Sequence, residues 1–233
     1  MAKPRDIILA LLFSALLVGG LGGYVYYKNG GTADTLLEGE EMLAGPFATE
    51  ELQISNPEIT NDMNRLATFA TNRGNITIEL YEDTMPVTTG NFIKLIEDGF
   101  YDQTKFHRVI DGFMIQGGDP NSKTANTASY GTGGPGYTIQ DEFVEGELRS
   151  NVRGTIAMAN TGQPNSGGSQ FFINTVDNTG LDFNKEPFAS KHPVFGRVVE
   201  GMDVIDAISR TQTGAGDVPV EPIVIESVTL SAQ

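Results

Sequence analysis

A long uncharged run stands out near the start of the chain, from Ile7 to Tyr27. About 20 apolar residues in a helix span the roughly 30 Å hydrocarbon core of a bilayer. The tyrosines at its end, beside Lys28, suit the interface between lipid and water. We therefore predict that residues 1–28 form a membrane anchor with one transmembrane helix. The alternative is a cleaved signal peptide, whose apolar core is usually shorter, about 7–15 residues.

Further along the chain, β-prone apolar residues recur in short runs, which is typical of strands. Leu66–Thr71 and Ile76–Tyr81 predict a hairpin around a turn at residues 72–75. Other runs, separated by glycine-rich loops, follow at residues 113–116, 155–159, 171–175, 194–199 and 223–230. Many short strands with turn signals predict a mainly β, mostly antiparallel barrel.

Two segments have instead the spacing of amphipathic helices. The first begins near Pro86, a residue that suits a first helical turn, with Asp83 and Thr84 as candidate caps, and it ends near Gly99. The second runs from Met202 to Ser209 and carries its apolar residues on one face. We predict that these two helices flank the barrel.

Charge separates the apolar run from the predicted globular domain at residues 66–233. Residues 29–65 form an acidic tether, since positions 29–64 hold Asp and Glu but no Lys or Arg. This composition favours a solvated spacer, with a partner-binding arm as the alternative. Lys3 and Arg5 precede the apolar run, so the positive-inside bias predicts a cytoplasmic N-terminus and an extracytoplasmic domain. Cleavage of the anchor would make the protein secreted.

Composition removes several kinds of chemistry. The 233 residues include 15 Lys and Arg against 30 Asp and Glu, a formal net charge of -15. This charge repels phosphate backbones, so nucleic acid is not an expected partner. The chain has no Cys and only two His, His107 and His192, which excludes disulfides, thiol nucleophiles and an ordinary structural zinc site. We expect neither a metal nor a cofactor.

A glycine-rich motif at residues 131–136 matches the dinucleotide-binding pattern G-x-G-x-x-G. That pattern binds a dinucleotide only where it follows a strand and opens a helix. Here Pro135 and Gly136 lead into residues 137–140, whose composition indicates an extended chain. We interpret the motif as a surface loop.

One segment, F-H-R-V-I-D-G-F-M-I-Q-G-G-D, combines the cation Arg108 with the apolar pair Phe113 and Met114 and with Gln116. On an extended strand Met114 and Gln116 share a face, and a bend at Gly112 would bring Phe113 to the same pocket. Taken singly, the apolar pair indicates core and the arginine a surface charge. Their combination favours a ligand site.

The same segment closely resembles the cyclophilin signature F-H-R-[IV]-I-x-G-F-M-x-Q-G-G-D. The resemblance continues at Met158–Asn160, Gly168–Asn174 and Val194–Gly196, and it covers roughly residues 66–233. The loop at residues 131–143 is similar to that of bacterial cyclophilins, which favours a prokaryotic source.

This resemblance implies a closed eight-stranded antiparallel β-barrel with two helices and peptidyl-prolyl cis/trans isomerase activity on proline-containing polypeptides. It implies that Arg108 is the catalytic residue. The implied proline pocket is formed by Phe113, Met114, Phe172 and Leu181, with His192 at its rim. The implied groove for the peptide backbone is formed by Gln116, Ala159, Asn160, Thr161 and Gln170. The clients would be exported or membrane-proximal proteins; the alternative is a non-catalytic prolyl-peptide-binding, scaffold or chaperone module.

The chain departs from the family pattern at three places near this site. Gly180 stands where members often carry Trp or Phe, so we expect weakened cyclosporin binding. Phe183 or Phe188, in a longer loop at residues 183–191, would be able to refill the space. Gln163 matches a one-residue insertion, which we expect to alter the adjoining surface more than the chemistry.

Overall fold

The computed structural model describes residues 64–146, 149–185 and 191–231. They contain two α-helices, α1 (Pro86–Glu97) and α2 (Met202–Ser209). The strands are β1 (Leu66–Thr71), β2 (Gly74–Leu80), β3 (Arg108–Ile110), β4 (Met114–Gly117), β5 (Thr155–Met158), β6 (Phe171–Asn174), β7 (Val194–Glu200) and β8 (Ile225–Leu230).

All eight strands belong to one antiparallel sheet in the order β3-β4-β6-β5-β7-β2-β1-β8. The mainly β prediction, the β1–β2 hairpin and both helices are therefore confirmed. Seven of the strands correspond to predicted runs, and β3 is the strand that the sequence pattern did not predict. The glycine-rich motif at residues 131–136 lies in a loop, as predicted.

The sheet curls strongly but does not close, so the prediction of a closed barrel is wrong. Its edges are β3 and β8. Just before these strands, Lys105 and Val224 form an isolated bridge, which does not extend into a ladder. The reason is local: β3 has only 3 residues, and the short helical turn Ala215–Asp217 contacts it from the segment that precedes β8.

An aromatic cluster fills the inside of the curl and fixes the direction of β6. Phe171 is fully buried, and its ring lies 5.6 Å from the ring of Phe69 and 5.7 Å from that of Phe92 on α1. Alternate residues of a strand face opposite sides of a sheet. With Phe171 held inside, Gln170 and Phe172 must lie on the outer side.

Helix α1 is capped from a distant loop. The cap position is Met85, not the predicted Asp83 or Thr84, and its side chain makes no capping hydrogen bond. The Glu142 carboxylate instead accepts hydrogen bonds from two N–H groups in the first turn, at 3.1 and 2.8 Å. The negative charge also suits the positive end of the helix dipole. Glu142 therefore joins the loop after residue 131 to the scaffold.

The membrane prediction concerns the start of the chain, which the structure does not describe. Within the ranges it describes, no helix is long and apolar enough to cross a bilayer. The predicted transmembrane segment at residues 7–27 and the acidic tether up to residue 63 lie outside those ranges.

Candidate functional site

Strand pairing brings three predicted site residues into one row. Arg108 on β3 lies opposite Gln116 on β4, and Gln116 lies opposite Phe172 on β6. Paired residues in antiparallel strands project from the same face of a sheet. Ile115, the neighbour of Gln116, is fully buried, so this row faces the outer side of the curl.

A tight turn between β3 and β4 positions the next predicted residues. Gly112 has a φ of 68°, in the left-handed region that favours glycine. The turn is closed by a 3.1 Å hydrogen bond from the N–H of Phe113 to the carbonyl of Ile110. Phe113 is thereby placed beside Met114, and its side chain packs against the edge of the core.

Two neighbours hold the Arg108 guanidinium, which is 42% exposed. Nη1 donates a 3.4 Å hydrogen bond to Oε1 of Gln116. Nε lies 3.5 Å from Oδ2 of Asp217, a residue far along the sequence. A permanently charged donor is thus restrained from two sides while it remains accessible to a ligand.

The amide side chains continue inward from Arg108 as a hydrogen-bonded chain. Nε2 of Gln116 donates to Oε1 of Gln170 at 3.0 Å, and Nε2 of Gln170 donates to the carbonyl of Gly133 at 2.8 Å. All five predicted groove residues line one cavity of about 280 Å³: Gln116, Ala159, Asn160, Thr161 and Gln170. The structure therefore brings the predicted groove together.

Asn160 contributes to this groove differently from the other amides. Its Nδ2 donates to the carbonyl of Lys191 at 2.6 Å, and its Oδ1 accepts from the N–H of Gly162 at 2.9 Å. The side chain therefore fastens two loops. The backbone N–H and carbonyl of Asn160 have no hydrogen-bond partner in the described chain, so they are available to a ligand.

The four predicted pocket residues divide into a floor and an exposed rim. Met114 and Phe172 are 2% and 5% exposed and belong to the core cluster. Phe113 and Leu181 are only partly buried. An apolar ligand ring placed over Met114 and Phe172 would therefore make most of its contacts with the more accessible side chains of Phe113 and Leu181.

His192 covers the edge of the floor. Its ring meets that of Phe172 at 84°, with centroids 5.2 Å apart. Nδ1 lies 3.0 Å from the carbonyl of Met158, and because a carbonyl only accepts, Nδ1 carries the proton. Burial lowers the pKa of His192 and outweighs the opposing hydrogen bond to Met158. The ring is therefore neutral at pH 7 and acts as an apolar edge.

The second histidine, His107, is 3% exposed and lies on the strand side opposite to Arg108. Burial lowers its pKa, and the nearby Asp119 carboxylate opposes this effect. His107 therefore does not offer a cation to a ligand; its ring meets that of Tyr130 in the neighbouring loop, with centroids 6.3 Å apart. Across the described ranges, no three His, Asp or Glu side chains gather into a metal site.

A buried polar network lies behind the rim, and sequence reasoning missed it. The Asp182 carboxylate accepts from the backbone N–H and from Nδ2 of Asn151 at 2.7 and 3.0 Å. Asn151 Oδ1 accepts from Asn174 at 3.2 Å, and Asn174 Oδ1 accepts from Asn178 at 2.8 Å. Asn178 also donates to the carbonyl of Phe113 at 2.8 Å. The network thus connects the residue after Leu181 to the start of β4.

The departures from the family pattern lie in the surrounding loops. Gly180 occupies a short 3-10 turn, Thr179–Leu181. Phe183 stacks on Phe143 with centroids 5.2 Å apart, so its ring is engaged by another loop. Phe188 lies outside the described residues. The carbonyl of Gln163 accepts from Ser166, within the turn that borders the cavity.

Asp217 is the other site residue that the sequence did not reveal. An isolated acidic residue in a Gly-rich turn carries no signal of a partner more than 100 positions away. Asn151 and Asn178 equally resemble ordinary turn residues, and Asn174 lies in a predicted strand that gives no signal of its polar partners. Only the folded chain identifies these contacts.

Comparison with known proteins identifies the family. A family model described as "Cyclophilin type peptidyl-prolyl cis-trans isomerase/CLD" matches residues 66–230. Peptidyl-prolyl cis-trans isomerase B of Escherichia coli is 44% identical over 71% of this chain and 99% of its own length. A probable peptidyl-prolyl cis-trans isomerase A of Mycobacterium leprae is 40% identical over 74% of this chain and 97% of its own length.

A solved structure supports the same assignment. The cyclophilin type peptidyl-prolyl cis-trans isomerase of Cryptosporidium parvum, crystallised in the presence of the dipeptide Ala-Pro, matches with a TM-score of 0.62 at 29% identity. The match covers 72% of this chain and 99% of that one. A plant isomerase from Arabidopsis thaliana is 42% identical, close to the bacterial value, so the prokaryotic source stays a prediction. The chain belongs to the cyclophilin-type peptidyl-prolyl cis-trans isomerases.

Proposed function

We propose that the chain accelerates rotation about X–Pro bonds, with Arg108 as the catalytic residue. The observation that carries this proposal is the row Arg108–Gln116–Phe172 across three strands. It sets a restrained cation and an apolar floor on one face, roughly 10 Å apart across the sheet. A proline ring over the floor would bring its imide bond toward the guanidinium.

This arrangement suits a reaction in which no covalent bond breaks. Rotation faces a barrier of about 18–20 kcal/mol because resonance gives the C–N bond partial double-bond character. In the twisted state the prolyl nitrogen regains a lone pair, which an N–H donor stabilises. Catalysis requires that this state be bound better than either planar form. Arg108 is such a donor, since its guanidinium presents several N–H groups in a planar fork.

The magnitude indicates that Arg108 acts with the pocket. Shortening a relaxation of tens of seconds to milliseconds requires about 5–7 kcal/mol. One charge-assisted hydrogen bond contributes about 1.5–3 kcal/mol. The remaining free energy must come from holding the groups on both sides of the rotating bond in place. Phe113 and Leu181 hold the proline ring, while the free backbone groups of Asn160 and the Gln116 amide hold the preceding residues.

Replacing Arg108 tests the proposal. Arg108→Ala should lower kcat/KM about 10- to 150-fold, the equivalent of one charge-assisted hydrogen bond. The measurement is exchange between the cis and trans forms of an Ala-Pro peptide, followed by NMR. Arg73→Ala is the control because it removes an exposed arginine whose partner among the described residues is Glu221. Unchanged turnover in Arg108→Ala would refute the mechanism.

The same experiment separates the enzyme from a binding module. Peptide affinity is measured in parallel by titration with the Ala-Pro peptide. A scaffold or chaperone module would bind the peptide while the wild-type chain gives negligible turnover. The proposal requires both binding and turnover in the wild type.

We propose further that Gly180 weakens binding of cyclosporin. Support comes from the missing side chain beside Leu181 and from the engagement of Phe183 with Phe143. Gly180→Trp should tighten cyclosporin binding at least tenfold, since a buried aromatic wall contributes more than about 1.4 kcal/mol. Isothermal titration of both chains gives the comparison. Equal affinity would show that this wall is not the missing element.

We also propose that residues 7–27 anchor the protein in a membrane, with the N-terminus cytoplasmic and the isomerase domain outside. Support is the uncharged run, the preceding Lys3 and Arg5 and the following acidic stretch. External protease should digest the domain in intact cells stripped of any outer layer. Full protection would contradict this topology. Mass spectrometry of the mature N-terminus distinguishes an anchor from a cleaved signal peptide.

A further inference from the structure

A short hairpin carries Asp217 to the edge strand β3. Gln212 and Val220 are joined by a backbone hydrogen bond of 2.9 Å, and Gly214 and Val218 by one of 2.8 Å. Thr213 also forms a bridge with Pro219. We call residues 212–220 the edge hairpin. Its tip therefore has a defined position beside β3.

The backbone at this tip is unusual. Gly216 and Asp217 have φ values of 72° and 59°, so two successive residues are left-handed. Three residues, 215–217, separate the paired Gly214 and Val218, and this short hairpin loop uses Gly and Asp, which tolerate positive φ. It makes the turn sharp and leaves the Asp217 side chain within reach of Arg108.

The contacts of Arg108 show what Asp217 does to the guanidinium. Asp217 lies on the Nε side at 3.5 Å, and Gln116 accepts from Nη1 at 3.4 Å. Nη2 donates no hydrogen bond to the residues that the structure describes. Two restraints on a planar group fix both its position and its plane. The nitrogen left over is the one that a ligand can use.

We propose that Asp217 is a positioning residue, which holds Arg108 so that Nη2 faces the rotating imide. This inference rests on the catalytic role proposed for Arg108. Arginine has a long side chain with high rotamer entropy, and without an anchor it must be ordered during the reaction itself. Losing Asp217 should therefore lower kcat and leave KM nearly unchanged. Since both side chains are about half exposed, the expected loss is about two- to fivefold.

The test uses the full-length chain in mild detergent. Asp217→Asn keeps the shape and tolerates a left-handed φ, and Asp217→Gly removes the side chain without backbone strain. Glu221→Ala is the matched control, because it breaks an exposed ion pair with Arg73 directly after the edge hairpin. We expect kcat to fall about two- to fivefold in both Asp217 variants. Their melting temperatures should equal that of the Glu221→Ala control.

Salt provides a second readout. Raising ionic strength from about 0.01 M to about 1 M shortens the Debye length from roughly 30 Å to 3 Å. The kcat of the wild type should fall toward that of Asp217→Asn, whose own kcat should change less. A role limited to the shape of the hairpin would leave both salt responses equal and would overturn the proposal.

A double-mutant cycle separates this inference from the proposed function. Lysine has no planar guanidinium for Asp217 and Gln116 to orient. In an Arg108→Lys background, Asp217→Asn should therefore have little further effect on kcat. An equal loss in both backgrounds, or kcat in Asp217→Asn equal to that of Glu221→Ala, overturns the positioning role. If Arg108→Ala itself keeps full turnover, the proposed function fails instead.

Discussion

The polar network behind the rim gives a sharp prediction at Asn151. This side chain is fully buried and makes three hydrogen bonds. Nδ2 donates to Asp182 at 3.0 Å and to the carbonyl of His192 at 3.1 Å, and Oδ1 accepts from Asn174 at 3.2 Å. Asn151→Ala removes all three hydrogen bonds. Asn151→Asp keeps the shape of the side chain but replaces the Nδ2 donor with a carboxylate oxygen.

The expected loss follows from the partners that remain. Asp182 Oδ1 keeps its bond from the backbone N–H of Asn151, and Asn174 Nδ2 keeps its bond to Thr155 at 2.9 Å. The carbonyl of His192 keeps no hydrogen bond from the residues that the structure describes. One orphaned group costs about 1–3 kcal/mol and two lost bonds about 0.5–1.5 kcal/mol each, which gives about 2–6 kcal/mol for Asn151→Ala. That is a large part of a typical stability of about 5–15 kcal/mol.

Asn151→Asp should be worse despite its matching volume. Its second oxygen would face the Asp182 carboxylate and the His192 carbonyl, both acceptors, in a buried position. Urea unfolding followed by circular dichroism measures the free energy of unfolding. It should be highest for the wild type, lower for Asn151→Ala and lowest for Asn151→Asp. If Asn151→Asp is as stable as the wild type, packing rather than hydrogen bonding maintains this region.

Two further predictions concern the scaffold. Glu142→Ala should lower the free energy of unfolding by about 0.5–2 kcal/mol, because it removes the only side-chain cap of α1 within the described structure. Urea unfolding measures this loss, with a substitution of the exposed Glu145, Glu145→Ala, as the control. Burial lowers the pKa of His107 below its ordinary 6.5, so the unfolded chain binds more protons and stability should fall as pH drops below 6.5. His107→Gln should reduce this slope by up to about 1.4 kcal/mol per pH unit in unfolding titrations, and an unchanged slope would assign the effect to other groups.

Much of the fold could be predicted because its signals are local. Helix α2 was predicted with its observed bounds because Val204, Ile205 and Ile208 share one face, and the structure buries Ile205 and Ile208. The cap of α1 could not be predicted, because Glu142 lies more than 50 positions from the N–H groups that it binds. The prediction of a closed barrel failed for the same reason. Closure depends on how β3 meets a distant hairpin, which no local pattern records.

The candidate site was predicted from its residues rather than from its geometry. Resemblance identified Arg108, Gln116 and Phe172, but their common row depends on the register between β4 and β6, two strands more than 50 positions apart. No alternation pattern within either strand fixes that register. What fixes it is the inner face, where Ile115 pairs with Ile173 and both are fully buried.

The burial of the pocket floor bears on what Gly180 can change. Met114 and Phe172 are held by the sheet, and the position of Leu181 is held by the Asp182 bonds to Ser150 and Asn151. None of these supports passes through the residue 180 side chain. A small proline ring bound over the floor, as proposed, should therefore lose little affinity when that side chain is absent. A large apolar inhibitor extends beyond the floor and needs the wall, so Gly180 should separate inhibitor binding from turnover.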